Sequence, residues 1–557
     1  MIKTLITAFL FISAPLFVFA NTGWEAGTKI TSPRENIFNL PQGEFQSSVE
    51  RGMKHTLFYP VKSSDLLIPY EPLKTVLDTE NEFLGDLLRK LGRKISPFKS
   101  TEELFSWVGA HKFPETVQEE TPNPLPSLTE EEKALPMGAT LVENQDGIGI
   151  TFGCAACHSS DLFGVKVVGL TNRFPRANAF FHLGATAAPY VNSFLFRDLL
   201  HTTEGERLMF ARTKKYLRSV GTKVPEALGL DTSLAQVGLS LSKRKPDEWA
   251  TPSKLYQKFP RSNELNRRIA DSKPSVWWNL KYKNRWLSDG SIVSGNPVHT
   301  NILWNEIGRG ADLKKLDEWL KNNQAPIDDL TTAIFAMKAP RYEKFFGVHS
   351  INIGKAKRGE KLFIESCQKC HGVYEKGWND PSQESLTLEE KLQTTNVVYH
   401  EETPVKNVGT DPGRYEGMKY FAEDLNRLQI SHNLGVKVVP QEGYVPPPLV
   451  GIWSRWPYFH NNSIPNLCAL LTPGEQRPVT YYSGAAKNKE SDFDQDCVGY
   501  PLGDKTPLEW RKKEFLFDSR KEGLSNRGHD ERIFIKDGKE IFSADDKRDL
   551  IEFLKTL

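Results

Sequence analysis

Two Cys-x-x-Cys-His pentads constrain this chain more than any other feature of its 557 residues. They are Cys154-Ala-Ala-Cys157-His158 and Cys367-Gln-Lys-Cys370-His371. Each has the spacing of a c-type haem attachment site, in which two thiols on one helical turn bond to the two vinyl groups of a single haem. The imidazole of the next residue then lies under the porphyrin as the proximal iron ligand. The pentads therefore predict two covalently bound haem c groups, with His158 and His371 as iron ligands.

Zinc is the alternative partner for two Cys-x-x-Cys segments. A zinc ribbon places its second pair roughly 15 to 20 residues after the first, whereas about 200 residues separate Cys157 from Cys367. Each pair is also followed by its own histidine, which a zinc site does not need twice. The spacing therefore favours haem.

The first twenty residues have the pattern of a secretory signal peptide. A charged Met-Ile-Lys start precedes an apolar run from Leu5 to Phe19, and Ala20 stands before the polar Asn21. A membrane anchor is the alternative, but the apolar run is short for a helix that crosses a bilayer. We therefore predict a signal peptide over residues 1–20, a periplasmic or secreted mature chain, and no stable membrane anchor.

The charge and length of the chain limit its class and its organisation. The formal net charge is +2 at pH 7, so composition provides no electrostatic attraction to nucleic acid. The mature chain is long enough for roughly two to four domains. We predict an N-terminal extension over residues 21–125, a first cytochrome c-like domain over 126–347 and a second over 348–557.

Helical periodicity indicates the fold class. Apolar residues at 313, 316, 319 and 320 have helical spacing, and a further helix is predicted over 328–338. Residues 355–367 form the helix expected to deliver the second pentad, and Ser543 can cap a terminal helix that crosses it, as in cytochrome c folds. The predicted fold is therefore mainly α, with two cytochrome c-like haem domains, long loops and an N-terminal extension.

Two cysteines remain outside the pentads, Cys468 and Cys497. In an oxidising compartment they can form a disulfide, which would contribute about 3–4 kcal/mol in the chain-entropy model. Two free buried thiols are the alternative. A free thiol near haem iron is prone to oxidation, so we favour the bridge.

The segment over 451–467 carries a family resemblance. Its core, Pro457-Tyr-Phe-His460-Asn-Asn462-Ser463, resembles the Pro-Tyr-x-His-(Asp/Asn)-Gly-Ser signature of the bacterial di-haem cytochrome c peroxidase superfamily, with Asn462 in place of the usual glycine. That superfamily includes the enzyme that matures the tryptophan-derived cofactor of methylamine dehydrogenase and the secreted di-haem rubber oxygenases. The chain length, the extension, and the segments 135–138 and 273–282 look closer to the rubber-oxygenase (RoxA-like) branch.

The resemblance implies different roles for the two haems. The first would present the open, reactive iron, and the second would carry a sixth ligand and relay electrons. Ser525-Asn-Arg-Gly-His529 is similar to the family segment with the distal histidine, so His529 is the expected ligand of the second iron. Met418 is the alternative, by analogy with peroxidases that use methionine. His182, and more weakly His299, would close the first iron, although a packed core histidine is the more frequent role.

Two further residues are catalytic candidates by resemblance. Trp278, and less so its neighbour Trp277, stands where the family has an aromatic relay and pocket wall, although a tryptophan pair can simply pack against a porphyrin. His460, with Tyr458, would lie near the haems or between them, although the two can instead be a hydrogen-bonded pair in a tight turn.

These residues together predict an exported di-haem c-type oxidoreductase. It would reduce hydrogen peroxide with electrons from a redox partner protein, or use dioxygen to attack the double bonds of an apolar, polymeric substrate. The alternative from another class is a non-enzymatic periplasmic electron carrier with both irons six-coordinate.

Overall fold

The computed structural model describes residues 22–58, 66–78, 97–191, 196–197 and 200–557. The predicted signal peptide at residues 1–20 lies outside the described residues. Within the described ranges, no helix is both long and apolar enough to cross a membrane.

Helices of very different length are distributed along the described chain. They are α1 (Gln42–Phe58), α2 (Tyr70–Asp78), α3 (Thr101–Val108), α4 (Ala177–Ala187), α5 (Glu204–Leu217), α6 (Ser233–Ser242), α7 (Lys254–Lys258), α8 (Pro297–Gly308), α9 (Leu313–Asn322), α10 (Gln324–Ala336), α11 (Tyr342–Phe346), α12 (Ile353–Ser366), α13 (Gln368–His371), α14 (Leu388–Leu392), α15 (Gly413–Gly417), α16 (Ala422–Asn426), α17 (Gln429–Asn433), α18 (Leu467–Leu470) and α19 (Ala544–Lys555). The periodicity near residue 313 corresponds to α9, and α10 begins and ends earlier than the predicted 328–338.

Short antiparallel strands alternate with these helices in several small sheets. They are β1 (Ile68–Pro69), β2 (Ala139–Asn144), β3 (Gly147–Phe152), β4 (Ser159–Leu162), β5 (Val165–Val168), β6 (Ile292–Ser294), β7 (Val373–Lys376), β8 (Thr394–Val398), β9 (Lys437–Val438), β10 (Thr480–Tyr482), β11 (Leu516–Asp518), β12 (Ile535–Lys536) and β13 (Lys539–Glu540). β3 lies between β1 and β2 in a three-stranded sheet. The two-stranded pairs are β4–β5, β6–β9, β7–β8, β10–β11 and β12–β13.

The prediction of a mainly α fold was wrong, because many small antiparallel sheets occur among the helices of the described chain. The strands are too short to produce a strong periodic signal, and β7–β8 and β6–β9 pair residues far apart in sequence. The β2–β3 hairpin did carry a turn signal in the sequence, the Asp146-Gly147 pair. The turn itself consists of Gln145 and Asp146, and Gly147, the first residue of β3, has φ 115°. The hairpin places the first pentad next to strands instead of after a long helix.

Two separate haem domains are not shown by this fold. The largest cluster of buried apolar side chains runs from Ile37 to Leu557 and includes residues of all three predicted segments. The boundaries after residues 125 and 347 therefore stay predictions.

The N-terminal extension packs directly on the rest of the chain. In the contact of α1 with α10, Arg51 and Ser48 both donate hydrogen bonds to the carboxylate of Asp329. A Cβ at Gly52 would lie 2.0 Å from the Asp329 carbonyl oxygen, so only glycine allows this approach. Arg34 lies over the rings of surrounding aromatic residues, 5.5 Å from the centroid of Trp24. Charge pairing and aromatic contacts thus attach the extension to the core.

The terminal helix packs against the helix that leads into the second pentad, as the sequence predicted. Ser543 and Asp546 form a reciprocal capping box that starts α19. Arg358 of α12 makes a bidentate ion pair with Asp549 of α19, at 2.6 and 2.9 Å. Gly359 lets the two helices approach, because a Cβ there would lie 2.0 Å from the Asp549 carbonyl oxygen.

Gly359→Ala should therefore destabilise the protein. The added methyl group would push α19 away from α12, and such overpacking costs about 1–3 kcal/mol. The free energy of unfolding from chemical denaturation, followed by circular dichroism, measures the effect. Gly354→Ala on the same helix is the matched control, since its nearest neighbour is the Asn352 Oδ1 atom at 3.4 Å. Equal losses in both variants would contradict the close contact.

Candidate cofactor site

The first pentad forms a single tight turn between β3 and β4. A 3-10 turn covers Cys154–Ala156, and the His158 amide donates to the Cys154 carbonyl at 3.0 Å. Gly138, from the 135–138 segment, has φ 84°, and a Cβ there would lie 2.2 Å from the Ala156 nitrogen. That segment therefore supports the back of the pentad.

The second pentad directly follows α12: Cys367 lies between the two helices, and the other four residues form α13. The amides of Cys370 and His371 both donate to the Cys367 carbonyl at 3.1 Å. In both pentads the backbone therefore turns once between the first cysteine and the histidine. This is the local geometry that a haem attachment motif requires.

Each pentad histidine is held by a backbone carbonyl. The Nδ1 atom of His158 lies 3.0 Å from the Ser275 oxygen, and that of His371 lies 2.8 Å from the Pro447 oxygen. A carbonyl only accepts, so Nδ1 carries the proton and Nε2 keeps a lone pair for a metal ion. Burial lowers the pKa of both imidazoles to about 4, which favours the neutral, ligating form.

The pentad cysteines are half-buried, and their thiols are not paired with one another. Burial raises the pKa of Cys154, Cys157 and Cys367 to about 12, and all four pentad cysteines are free. Within the described ranges no three His, Cys, Asp or Glu side chains converge as metal ligands. Each pentad instead lines its own cavity. Protonated thiols beside a buried cavity and a neutral imidazole fit a covalent haem, and a shared zinc site is not formed.

The first cavity, lined by Cys154, Cys157 and His158, has mostly aromatic and aliphatic walls. They include Phe152, Phe180, Phe181, Trp277, Val298 and Trp304. The Trp277 ring stacks on His158 at 4.7 Å between centroids, with an interplanar angle of 26°. Among the described residues that line this cavity, His158 is the only histidine.

The other two histidines considered for the first iron do not line this cavity. His182 is exposed, and its Nδ1 atom lies 3.0 Å from the Thr222 hydroxyl. The buried Nε2 atom of His299 has no hydrogen-bond partner. Its neighbours Val298 and Thr300 line the first cavity, but His299 itself does not. The structure therefore does not bring a second imidazole to the first site.

The second cavity, lined by Cys367, Cys370 and His371, has a further histidine in its wall. His529 lines it as well, and its ring centroid lies 6.2 Å from that of His371, at an interplanar angle of 57°. The chain reaches His529 through Gly528, and both residues have positive φ. Met418 is fully buried but does not line either cavity. Two imidazoles therefore face one another here.

The motif at 457–463 is a tight turn beside the second cavity. The Tyr458 amide donates to the Ile464 carbonyl at 2.6 Å. Asn462 has φ 60°, a left-handed conformation that asparagine tolerates better than most residues, so it serves where the family has glycine. His460 lines this cavity and stacks on Tyr444 at 3.9 Å, and its buried Nε2 atom has no hydrogen-bond partner.

The two cavities share a wall, which consists of residues 272–275 together with Leu287 and Ser288. Trp277, which follows the wall, lines the first cavity. Trp278 is buried, donates from its Nε1 atom to the Val450 carbonyl at 2.9 Å, and lines neither cavity. Sequence reasoning favoured Trp278 over Trp277 and missed the wall, because side-chain direction in this segment depends on tertiary packing.

The predicted disulfide between Cys468 and Cys497 is confirmed. It lies directly after the motif segment, where the Leu467 amide also donates to the Cys497 carbonyl at 2.8 Å. The bridge therefore fastens one end of the segment that lines the second cavity.

Comparison with known protein families gives a match at this motif. A family model described as RoxA-like, cytochrome c-like matches residues 443–482. The matched region contains the 451–467 segment and part of the second cavity lining, including His460. It supports the RoxA-like branch and indicates a haem-binding oxidoreductase of the cytochrome c-like class. The wider di-haem peroxidase superfamily is not confirmed by this match.

Two curated relatives resemble longer stretches of the chain. The uncharacterized protein y4iJ of Sinorhizobium fredii is 29% identical over 436 residues, which cover 67% of this chain and 67% of the relative. The uncharacterized protein y4iM of the same organism is 28% identical over 305 residues, covering 51% of this chain and 63% of the relative. Their names state no activity, so they indicate relatedness and assign no reaction.

Proposed function

We propose that this chain is an exported oxidoreductase that carries two covalent c-type haems, one reactive and one for electron relay. The observation that supports it most is the difference between the two cavities. His158 is the only histidine that lines the first cavity among the described residues, whereas His371 and His529 face each other across the second. One site would thus keep an open position for a small oxidant, and the other would not.

The spacing in the second cavity supports a six-coordinate site. An imidazole nitrogen binds a transition metal ion at about 2 Å, so two imidazoles that would hold one haem iron between them would have ring centroids roughly 6 Å apart. The 6.2 Å between His371 and His529 matches that spacing. A pair of imidazole ligands suits electron transfer and lowers the reduction potential relative to a histidine–methionine pair.

Haem, when bound, supplies one-electron chemistry and, at an open position, reaction with peroxide or dioxygen. Residues of the chain would orient the haem ligand and shape the space around it. Ser275 orients the His158 imidazole, and Trp277 stacks on its face. The aromatic walls around the first cavity exclude water and offer contact to an apolar substrate.

The polar lining of the first cavity favours dioxygen over peroxide as the oxidant. Reduction of peroxide requires a group that transfers a proton at the O–O bond. Asp231 is the only carboxylate that lines this cavity in the described part of the chain, and it already accepts hydrogen bonds from the amide and hydroxyl of Ser233 at 2.7 Å. Lys273 also lines the cavity, but its Nζ atom already donates to the Arg455 and Pro457 carbonyls. With the RoxA-like match, this supports oxidation of an apolar, double-bonded substrate.

The number of haems is the first test. Replacing Cys154 and Cys157 with alanine should halve the covalent haem signal of the denatured protein, because one pair of vinyl-bonding thiols is lost. The pyridine haemochrome spectrum measures it. The same double substitution at Cys367 and Cys370 is the matched control and should also halve the signal. A full signal in either variant would refute covalent attachment at that pentad.

His529→Ala tests the relay site. Loss of an imidazole that stabilises ferric iron should convert one haem from low-spin to high-spin and raise its reduction potential, while the other haem keeps its spectrum. Electron paramagnetic resonance and redox titration measure these changes. Met418→Ala should leave both spin states unchanged. If Met418→Ala instead creates the high-spin haem, the assignment of His529 is wrong.

The spectrum of the purified protein separates an enzyme from an electron carrier. An open first site predicts one high-spin or oxygen-bound haem and one low-spin haem. Two low-spin haems in both oxidation states would support a non-enzymatic carrier and contradict the proposal. Product analysis with polyisoprene under dioxygen, beside a hydrogen peroxide assay with a reduced donor cytochrome, then identifies the oxidant. Turnover with peroxide alone would reject the dioxygen version.

A further inference from the structure

Three cationic side chains at the second cavity have no carboxylate partner among the described residues. Lys273, Lys283 and Arg455 line it together, and burial dominates the electrostatics of each. The Lys273 Nζ atom donates to the Pro457 carbonyl and to the Arg455 carbonyl at 3.2 Å. The Arg455 Nη1 atom donates to the Pro448 carbonyl at 2.8 Å. Carbonyl oxygens thus accept hydrogen bonds from some N–H groups of these side chains, but they supply no negative charge to balance the cations.

The cations also repel one another. Burial, and after it the positive charge of Arg455, together lower the pKa of Lys283 to about 8. Burial likewise lowers the pKa of Lys273 well below its usual value, again with Arg455 contributing. Burial of unpaired like charges is unfavourable unless an anion joins them. The cluster therefore has the character of an anion-binding site.

Most of the remaining surface of the second cavity is apolar, with walls that include Leu449, Ile452, Leu467 and Leu554, although the exposed Lys369 and Lys406 also border it. An apolar cavity with one cationic region suits a flat apolar molecule that carries carboxylates. Haem has this character, because its porphyrin is apolar and its two propionates are anionic.

The arginines that line the first cavity have carboxylates near them. Arg309, which lines it, already pairs with Glu306 at 3.3 Å. Arg414 lies close enough to the buried Asp289 to oppose the rise of that carboxyl's pKa. Lys273 is half-buried and lines both cavities. The two sites therefore share a cation that has no carboxylate partner among the described residues.

We propose that Lys273, Lys283 and Arg455 bind the propionate groups of the haem held by His371, and that Lys273 couples the two haem sites electrostatically. This assignment rests on the proposed pair of haems. The three residues are positioning residues: they hold carboxylates and set the local potential, and they do not touch the reacting oxidant.

Reduction potentials of both haems, measured by spectroelectrochemical titration of the full chain, test the assignment. A lost positive charge favours the ferric form, so Lys283→Met should lower the potential of the second haem alone. Lys273→Met should lower both potentials. We expect about a tenfold change in the reduction equilibrium for the nearest haem, which is about 59 mV for one electron. Lys273→Arg keeps the charge and should restore both values.

Lys243→Met is the matched control. Lys243 is a half-buried cation whose pKa burial also lowers, and its Nζ atom donates to the Val220 carbonyl at 2.8 Å, but it lines neither cavity. Both potentials should stay at their wild-type values in this variant. Equal shifts in Lys243→Met and Lys283→Met would reveal a general effect of buried charge and overturn the assignment.

The haem count separates this inference from the proposed function. Fewer than two covalent haems in the wild-type protein would refute the proposed function itself. Two haems with unchanged potentials in Lys283→Met and Arg455→Met would refute only the propionate site. If Lys273→Met fails to fold, Lys273→Gln gives the same charge change. The assignment would also be overturned if the reduction potential of the second haem changed when phosphate is added at constant ionic strength. Such a change would show that the three cations bind an exchangeable anion.

Discussion

The hydrogen bond between the His158 Nδ1 atom and the Ser275 carbonyl ties the first pentad to the wall between the cavities. That wall is held from other sides as well. The Lys273 amide donates to the His460 carbonyl at 2.7 Å, and the Thr171 hydroxyl donates to the Pro274 carbonyl at 2.7 Å. One short segment thus connects the first imidazole with the motif turn that borders the second cavity. A shift of this wall would change both sites together.

The chemistry of the site could be predicted from the sequence better than its surroundings. The pentads bring thiols and an imidazole together by local spacing alone, and one backbone turn places Cys367 next to His371 without help from distant residues. The capped terminal helix also follows from a local signal, whereas its packing on α12 was expected by analogy with cytochrome c folds. The sheets do not, because β6 and β9 pair residues that no local pattern connects. Two-residue and three-residue strands have almost no periodicity to detect.

The sequence also could not show which of the histidines outside the pentads would reach a cavity. His182, His299 and His529 are all single histidines outside the pentads, and their sequence contexts alone do not rank them. The structure separates them by side-chain direction: His182 meets solvent and Thr222, while His529 meets the second cavity. The backbone at Gly528 and His529 is left-handed, which turns the chain toward that cavity. Only the family resemblance anticipated this placement.

Burial is the common physical reason that these two cavities suit redox cofactors. A low-dielectric surrounding keeps His158 and His371 neutral and raises the pKa of the Cys154, Cys157 and Cys367 thiols, which holds them protonated. The same surrounding makes each nearby charge more effective, since Coulomb interactions strengthen as the dielectric constant falls. Lys273, in the shared wall, lines both cavities. The coupling proposed for it would depend on the same burial that keeps the pentad histidines neutral.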